Sequence, residues 1–135
     1  MLTNPEEINP QPPADRSVRT LVQELRRQAG ARHVILARRD GLPVATTLPA
    51  AANLAAYSHM AAAIAGTSDM AGEQLQFKSH EQTIVDFDSG KALIVGCGDS
   101  AVIMLLLPHE ANLGLAIVMA KRAAEEIRDL LPPWK

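Results

Sequence analysis

The sequence predicts an α+β fold, one compact antiparallel sheet covered by helices, in the order α-β-β-α-β-β-β-α. Three observations predict it. The first is a hairpin phrase from His33 to Thr47, with Asp40-Gly41 at its turn and Leu48-Pro49 closing it. The second is an Ala-rich run of helical composition from Asn53 to Leu75. The third is a run of three β-rich segments with short turns, followed by a closing helical stretch. No residue cluster in this order resembles a catalytic centre, so the chain reads as a surface for other proteins to grip.

The elements follow in turn. Residues 1–14 hold Pro5, Pro10, Pro12 and Pro13 and almost nothing apolar, so a flexible tail is expected ahead of a domain over 15–132. Asp15 can cap a first helix over 16–28, in which Val18, Leu21, Val22 and Leu25 recur at helical spacing and Gly30 supplies a left-handed stop. Pro43 comes early in the second strand and marks it as an edge, because proline cannot donate to a ladder.

In the long helix Leu54, Tyr57, Ala61, Ile64, Ala71 and Leu75 lie near one face. Ser58, Ala62 and Gly66 make a second stripe of small residues at steps of four. Two such faces imply two packing partners. The third strand, over 80–87, mixes polarity on both faces and suits an edge. The fourth spans Lys91 to Gly96. The fifth, Ser100 to Leu107, is apolar on both faces and should be central. Asn112 caps a last helix over 113–131, whose apolar stripe is Leu113, Ile117, Ala120, Ala124, Ile127 and Leu131.

Composition narrows the function. A chain of 135 residues is one domain with room for a core. Aromatic residues make up 3% of it and the net charge is −2, so neither base stacking nor broad phosphate binding is expected, and no nucleic-acid partner. The charge is uneven: up to residue 67 there are seven Arg against five acids, and from residue 68 ten acids against six bases. The longest apolar run, Ala101 to Leu107, is too short for membrane insertion, and the N-terminus has no signal-peptide pattern. A single cysteine points to a reducing compartment, hence a cytoplasmic protein. The Ala- and Arg-rich usage suggests a bacterial source.

Chemistry-bearing motifs are absent from the expectation. Cys97 has no activating neighbour, and the carboxylate of Asp99 would raise its pKa. The histidines at 33, 59, 80 and 109 lack ligand spacing, so no metal is expected. Gly96-Cys-Gly-Asp lacks the Lys-Ser/Thr ending of a phosphate loop. Arg38 and Arg39 flank the hairpin tip, where an arginine finger would sit, although solvated hairpin charge explains them as well. No catalytic residue and no cofactor is therefore expected.

Several phrases together resemble the Roadblock/LC7 family: Arg38-Arg-Asp-Gly-Leu-Pro-Val-Ala45, Gly90-Lys-Ala-Leu-Ile-Val95, Asn112-Leu-Gly-Leu115 and Arg122-Ala-Ala-Glu-Glu-Ile127. The resemblance spans residues 16–131. It implies a five-stranded sheet of profilin-like topology, with the second helix on one face and the first and third on the other. It also implies dimers, homodimeric or with a related Roadblock chain, joined at the third strand and paired through their second helices. MglB-like members of the family bind a Ras-like small GTPase and can stimulate its hydrolysis by positioning the GTPase's own residues.

Two candidate surfaces match that description. Ser58, Ala62 and Gly66 would receive a partner helix or a GTPase, although an Ala-rich helix lying tightly on its own sheet would show the same stripe. Gln82, Ile84 and Asp86 would pair edge to edge, unless the edge is simply solvated. The resulting expectation is a non-enzymatic dimeric regulator of a Ras-like small GTPase. The alternatives are a passive dimerisation scaffold and a small-molecule sensor.

Overall fold

The computed structural model describes residues 13–132 and 134. The elements are α1 (Pro13–Ala29), β1 (His33–Arg38), β2 (Pro43–Thr46), α2 (Leu54–Gln74), β3 (Gln82–Phe87), β4 (Gly90–Cys97), β5 (Ala101–Pro108) and α3 (Leu113–Arg128). All strands belong to one antiparallel sheet in the order β2-β1-β5-β4-β3. The element order and the antiparallel sheet match the sequence reading. So do the edge positions of β2 and β3 and the central place of β5.

The sheet is covered on both faces because β1, β4 and β5 alternate between two buried sets. Val34, Leu36, Leu93, Val95, Ile103 and Leu105 point to α1 and α3. Ile35, Ala37, Ile94, Val102 and Met104 point to α2. The α1 stripe of Val18, Val22 and Leu25 is buried as its spacing predicts, and so is the α3 set Ala120, Ala124 and Ile127.

Caps fix the helix limits. The Asn53 side chain accepts from the Ala56 N–H at 3.2 Å, and the Asn112 side chain accepts from the Leu115 N–H at 3.0 Å. Gly30 ends α1 with φ +66°, the left-handed stop. One boundary needs correction: α1 begins at Pro13, so Asp15 lies within the first turn and is not its cap. Proline suits a first helical position, where the N–H is unpaired in any case. The remainder of the expected tail, residues 1–12, lies outside the described residues.

Two glycines are required by close approach. Gly41 has φ +94° at the β1–β2 turn, and a Cβ there would meet the His59 ring at 3.0 Å. A Cβ on Gly72 would lie 2.8 Å from the Lys78 carbonyl oxygen. That contact folds the 75–81 segment back on the end of α2, with Gln76 and Lys78 at positive φ and the Phe77 N–H donating to the Gly72 carbonyl at 2.9 Å. The segment thereby delivers the chain to the free edge at β3.

A candidate interaction surface on α2 and β3

The sheet-facing side of α2 is Ser58, Ala61 and Ala65, each with no exposed surface. Their small side chains let the helix lie close to the sheet. Leu54, Tyr57 and Ile64 pack beside them. The outer side carries Met60 and Met70, at 47% and 62% exposure, with Ala63 and Thr67 exposed between them at helical spacing.

The sequence-predicted stripe divides between these two sides. Ser58 is fully buried, Ala62 is 9% exposed, and Gly66 is exposed. The reason is helical geometry: steps of four advance about 40° each around an α-helix, so the stripe turns from the sheet toward solvent. Ser58 and Ala62 are thus corrected from partner surface to interior packing. Gly66 alone looks outward, with nothing within 4 Å of the position a Cβ would take. Ala71 and Leu75, assigned to the sheet face, are also exposed, because the helix overhangs the sheet there.

On β3 the pairing to β4 runs from Gln82↔Val95 to Phe87↔Gly90, which leaves the other side of the strand open. Gln82, Ile84 and Asp86 share one face, with Ile84 38% exposed. Asp86 pairs with Lys91 across the β3–β4 ladder at 3.2 Å. The chain's two phenylalanines are both exposed: Phe77 in the segment before this strand and Phe87 at its end. Sequence reasoning passed over these phenylalanines and the outward methionines; their scarcity in so aromatic-poor a chain was the available signal.

A polar joint ties helix, edge and hairpin together. Arg39 donates through Nη1 to the Asp69 carboxylate on α2, and through Nε and Nη2 to the carbonyls of Ala101 and Gly98 at 3.0 and 3.2 Å. Asp69 also lies 3.3 Å from His80 Nδ1. The His80 Nε2 is 2.5 Å from Thr83 Oγ1, which is in turn 2.7 Å from Ser68 Oγ. Two residues of α2 thereby hold the start of β3. Arg38 is engaged as well, with Asp40 at 2.7 Å and with its guanidinium 5.4 Å from the Trp134 ring centre. Both arginines at the hairpin tip are bound within the chain.

Cys97 is buried beneath α3, where its Sγ donates to the Ala124 carbonyl at 3.3 Å. Burial pushes its pKa up from 9.0 to about 12, against the lowering influence of Arg128 and Arg39. The thiol is therefore neutral and inaccessible. The histidines fall on or beside different elements. Among the described residues no group of three His, Cys, Asp or Glu side chains could hold a metal ion, and no helix is long and apolar enough to cross a membrane.

The Roadblock/LC7 domain model matches residues 18–107. A protein of Methanocaldococcus jannaschii, MJ1340, is 30% identical over 105 residues, which cover 78% of this chain and 91% of that one. Among solved structures, an MglB with a tetrameric arrangement superposes with TM-score 0.80 at 20% identity, covering 89% of this chain and 91% of its own. The gliding protein MglB of Thermus thermophilus gives 0.79 at 19% identity, covering 89% and 92%. The same fold extends to profilin IB of Acanthamoeba castellanii, at TM-score 0.61 and 14% identity over 82% of this chain and 96% of that one.

Proposed function

The chain belongs to the Roadblock/LC7 domain family, and from that premise we propose that it is a non-enzymatic, cytoplasmic, dimeric regulator of a Ras-like small GTPase. The observation that carries the reading is the presence of two surfaces left without a partner among the described residues: the open β3 edge and the outer face of α2 with Met60, Gly66 and Met70. The Ser68–Thr83 contact ties α2 to β3, so the elements that carry the two surfaces are neighbours. An edge strand offers unpaired N–H and C=O groups, and exposed methionines offer an adaptable apolar contact. The likeness in fold to MglB proteins supports a GTPase as the second partner.

The mechanism is differential binding. The regulator prefers one nucleotide state of the GTPase and orders its switch segments, which shifts the population or speeds hydrolysis. Arg38 and Arg39 at the hairpin tip are each engaged by a carboxylate of the chain, which weighs against either acting as an arginine finger.

The test is binding to a Ras-like GTPase loaded with a GTP analogue or with GDP, followed by a hydrolysis assay. Tighter binding to one state supports a regulator. Equal binding to both states leaves a passive dimerisation scaffold.

A further inference from the structure

A cavity of about 400 Å³ opens at the end of the sheet where β1 begins and β5 ends, with Arg32, His33, Phe87, Gly90, Ala92 and Leu106 in its lining. Small-molecule sites span about 300–1,000 Å³, so the volume is sufficient for a ligand.

The backbone brings its two main polar residues together. His33 faces Leu106 in the β1–β5 register, and the Arg32 N–H donates to the carbonyl of the same Leu106 at 2.8 Å. Two consecutive residues of one strand thus oppose one residue of the other. That is the arrangement of a β-bulge, which re-aims a side chain. Arg32 and His33 accordingly line one cavity, although successive residues of a regular strand point to opposite faces.

The floor is apolar. Leu106 lies opposite Ala92 across the β4–β5 ladder. Ala92 belongs to the core under α2, and Leu106 packs against that core. Gly90 and Ala92 take up little room. Phe87, one of the chain's two phenylalanines, is 59% exposed and forms part of the wall.

The polar side is cationic and unspent. No carboxylate lines the cavity among the described residues. Lys91 is engaged by Asp86 at 3.2 Å, but the Arg32 guanidinium has no partner among the described residues. Of the His33 ring, Nδ1 lies 3.4 Å from Thr47 Oγ1, and Nε2 has no partner among the described residues. A guanidinium donates two parallel N–H bonds to a carboxylate. An aromatic ring beside an aliphatic floor suits a flat apolar body. An inorganic anion would leave the floor unfilled, and a neutral aromatic molecule would leave the Arg32 N–H groups unused.

We propose that this cavity binds a small aromatic carboxylate, with its ring against Phe87 and Leu106 and its carboxylate on Arg32. The proposal is independent of the GTPase reading and gives the chain a second, small-molecule ligand.

The experiment titrates the isotope-labelled full chain with naphthoate and follows the backbone amide NMR signals. Naphthylmethanol and inorganic phosphate serve as comparison probes. Naphthoate is expected to shift the Arg32, His33, Phe87 and Ala92 amides and to saturate with a Kd below about 1 mM. The alcohol and phosphate should each bind at least about tenfold more weakly. Arg32→Gln should weaken naphthoate about tenfold and Phe87→Ala about threefold. Both positions are exposed, so the rest of the spectrum should stay in place. Equal binding of the alcohol overturns the role of the carboxylate, and equal binding of phosphate overturns the aromatic body. Unmoved amides at these four positions, or an affinity unchanged in Arg32→Gln, overturn the site. The probe series on the wild type decides alone should a variant fail to fold.

Discussion

Arg39 holds Asp69 across the top of the sheet: the guanidinium at the end of β1 is 2.5 Å from a carboxylate oxygen on α2. The same guanidinium donates to the Ala101 and Gly98 carbonyls, so one side chain links hairpin, helix and the β4–β5 turn. Half-exposed ion pairs contribute little, but partly buried carbonyls that lose a donor are costly. Arg39→Ala is expected to destabilise the fold by about 1–2 kcal/mol in urea unfolding, and Asp69→Asn by less, about 0.5 kcal/mol.

Cys97 is held neutral by burial, with a pKa of about 12 against 9.0 in the open chain. A thiol whose folded pKa is raised stabilises the fold below the unfolded pKa. That contribution is lost as pH rises from 9 toward 12, because only the unfolded chain releases the proton. The slope is at most about 1.4 kcal/mol per pH unit. Stability measured from pH 8 to 10.5 should fall more steeply for the wild type than for Cys97→Ala, and a thiol reagent at pH 8 should label the protein only after unfolding.

Ser58 is fully buried on α2, and its hydroxyl has no hydrogen-bond partner. Removing an unsatisfied buried polar group relieves a desolvation cost. Ser58→Ala should leave the thermal midpoint unchanged or raise stability by up to about 1 kcal/mol. Ala62→Arg places a long charged side chain against the sheet and should unfold the domain, visible as loss of the helical circular dichroism.

Met60 and Met70 lie exposed on the outer face of α2. Met60→Glu with Met70→Glu should change stability by no more than about 1 kcal/mol, as exposed substitutions do. The same double variant should weaken partner capture at least about tenfold, read by calorimetric titration.

Much of the fold was legible because the decisive signals are local. Asp40-Gly41 set the first hairpin, Asn53 and Asn112 capped helices where they stand, and Pro43 placed β2 at an edge. The two-sided apolarity of β5 placed it at the centre. The α2 surface was harder to read. In a helix so rich in alanine, small residues lie on every side, and the sheet selects Ser58, Ala61 and Ala65 by the 3.6-residue period rather than by steps of four. The joint of Arg39, Asp69 and His80 was not legible at all, since it gathers residues about 11 to 30 positions apart that no local pattern connects.

The most direct measurement is the affinity of the purified protein for a Ras-like GTPase in its GTP-analogue and GDP states, with Met60→Glu/Met70→Glu as control. A regulator that works by differential binding prefers one state at least about fivefold, and the double variant loses that preference. Equal affinity for the two states, or binding undisturbed by the double variant, would contradict the assignment of α2 as the surface that reads the GTPase.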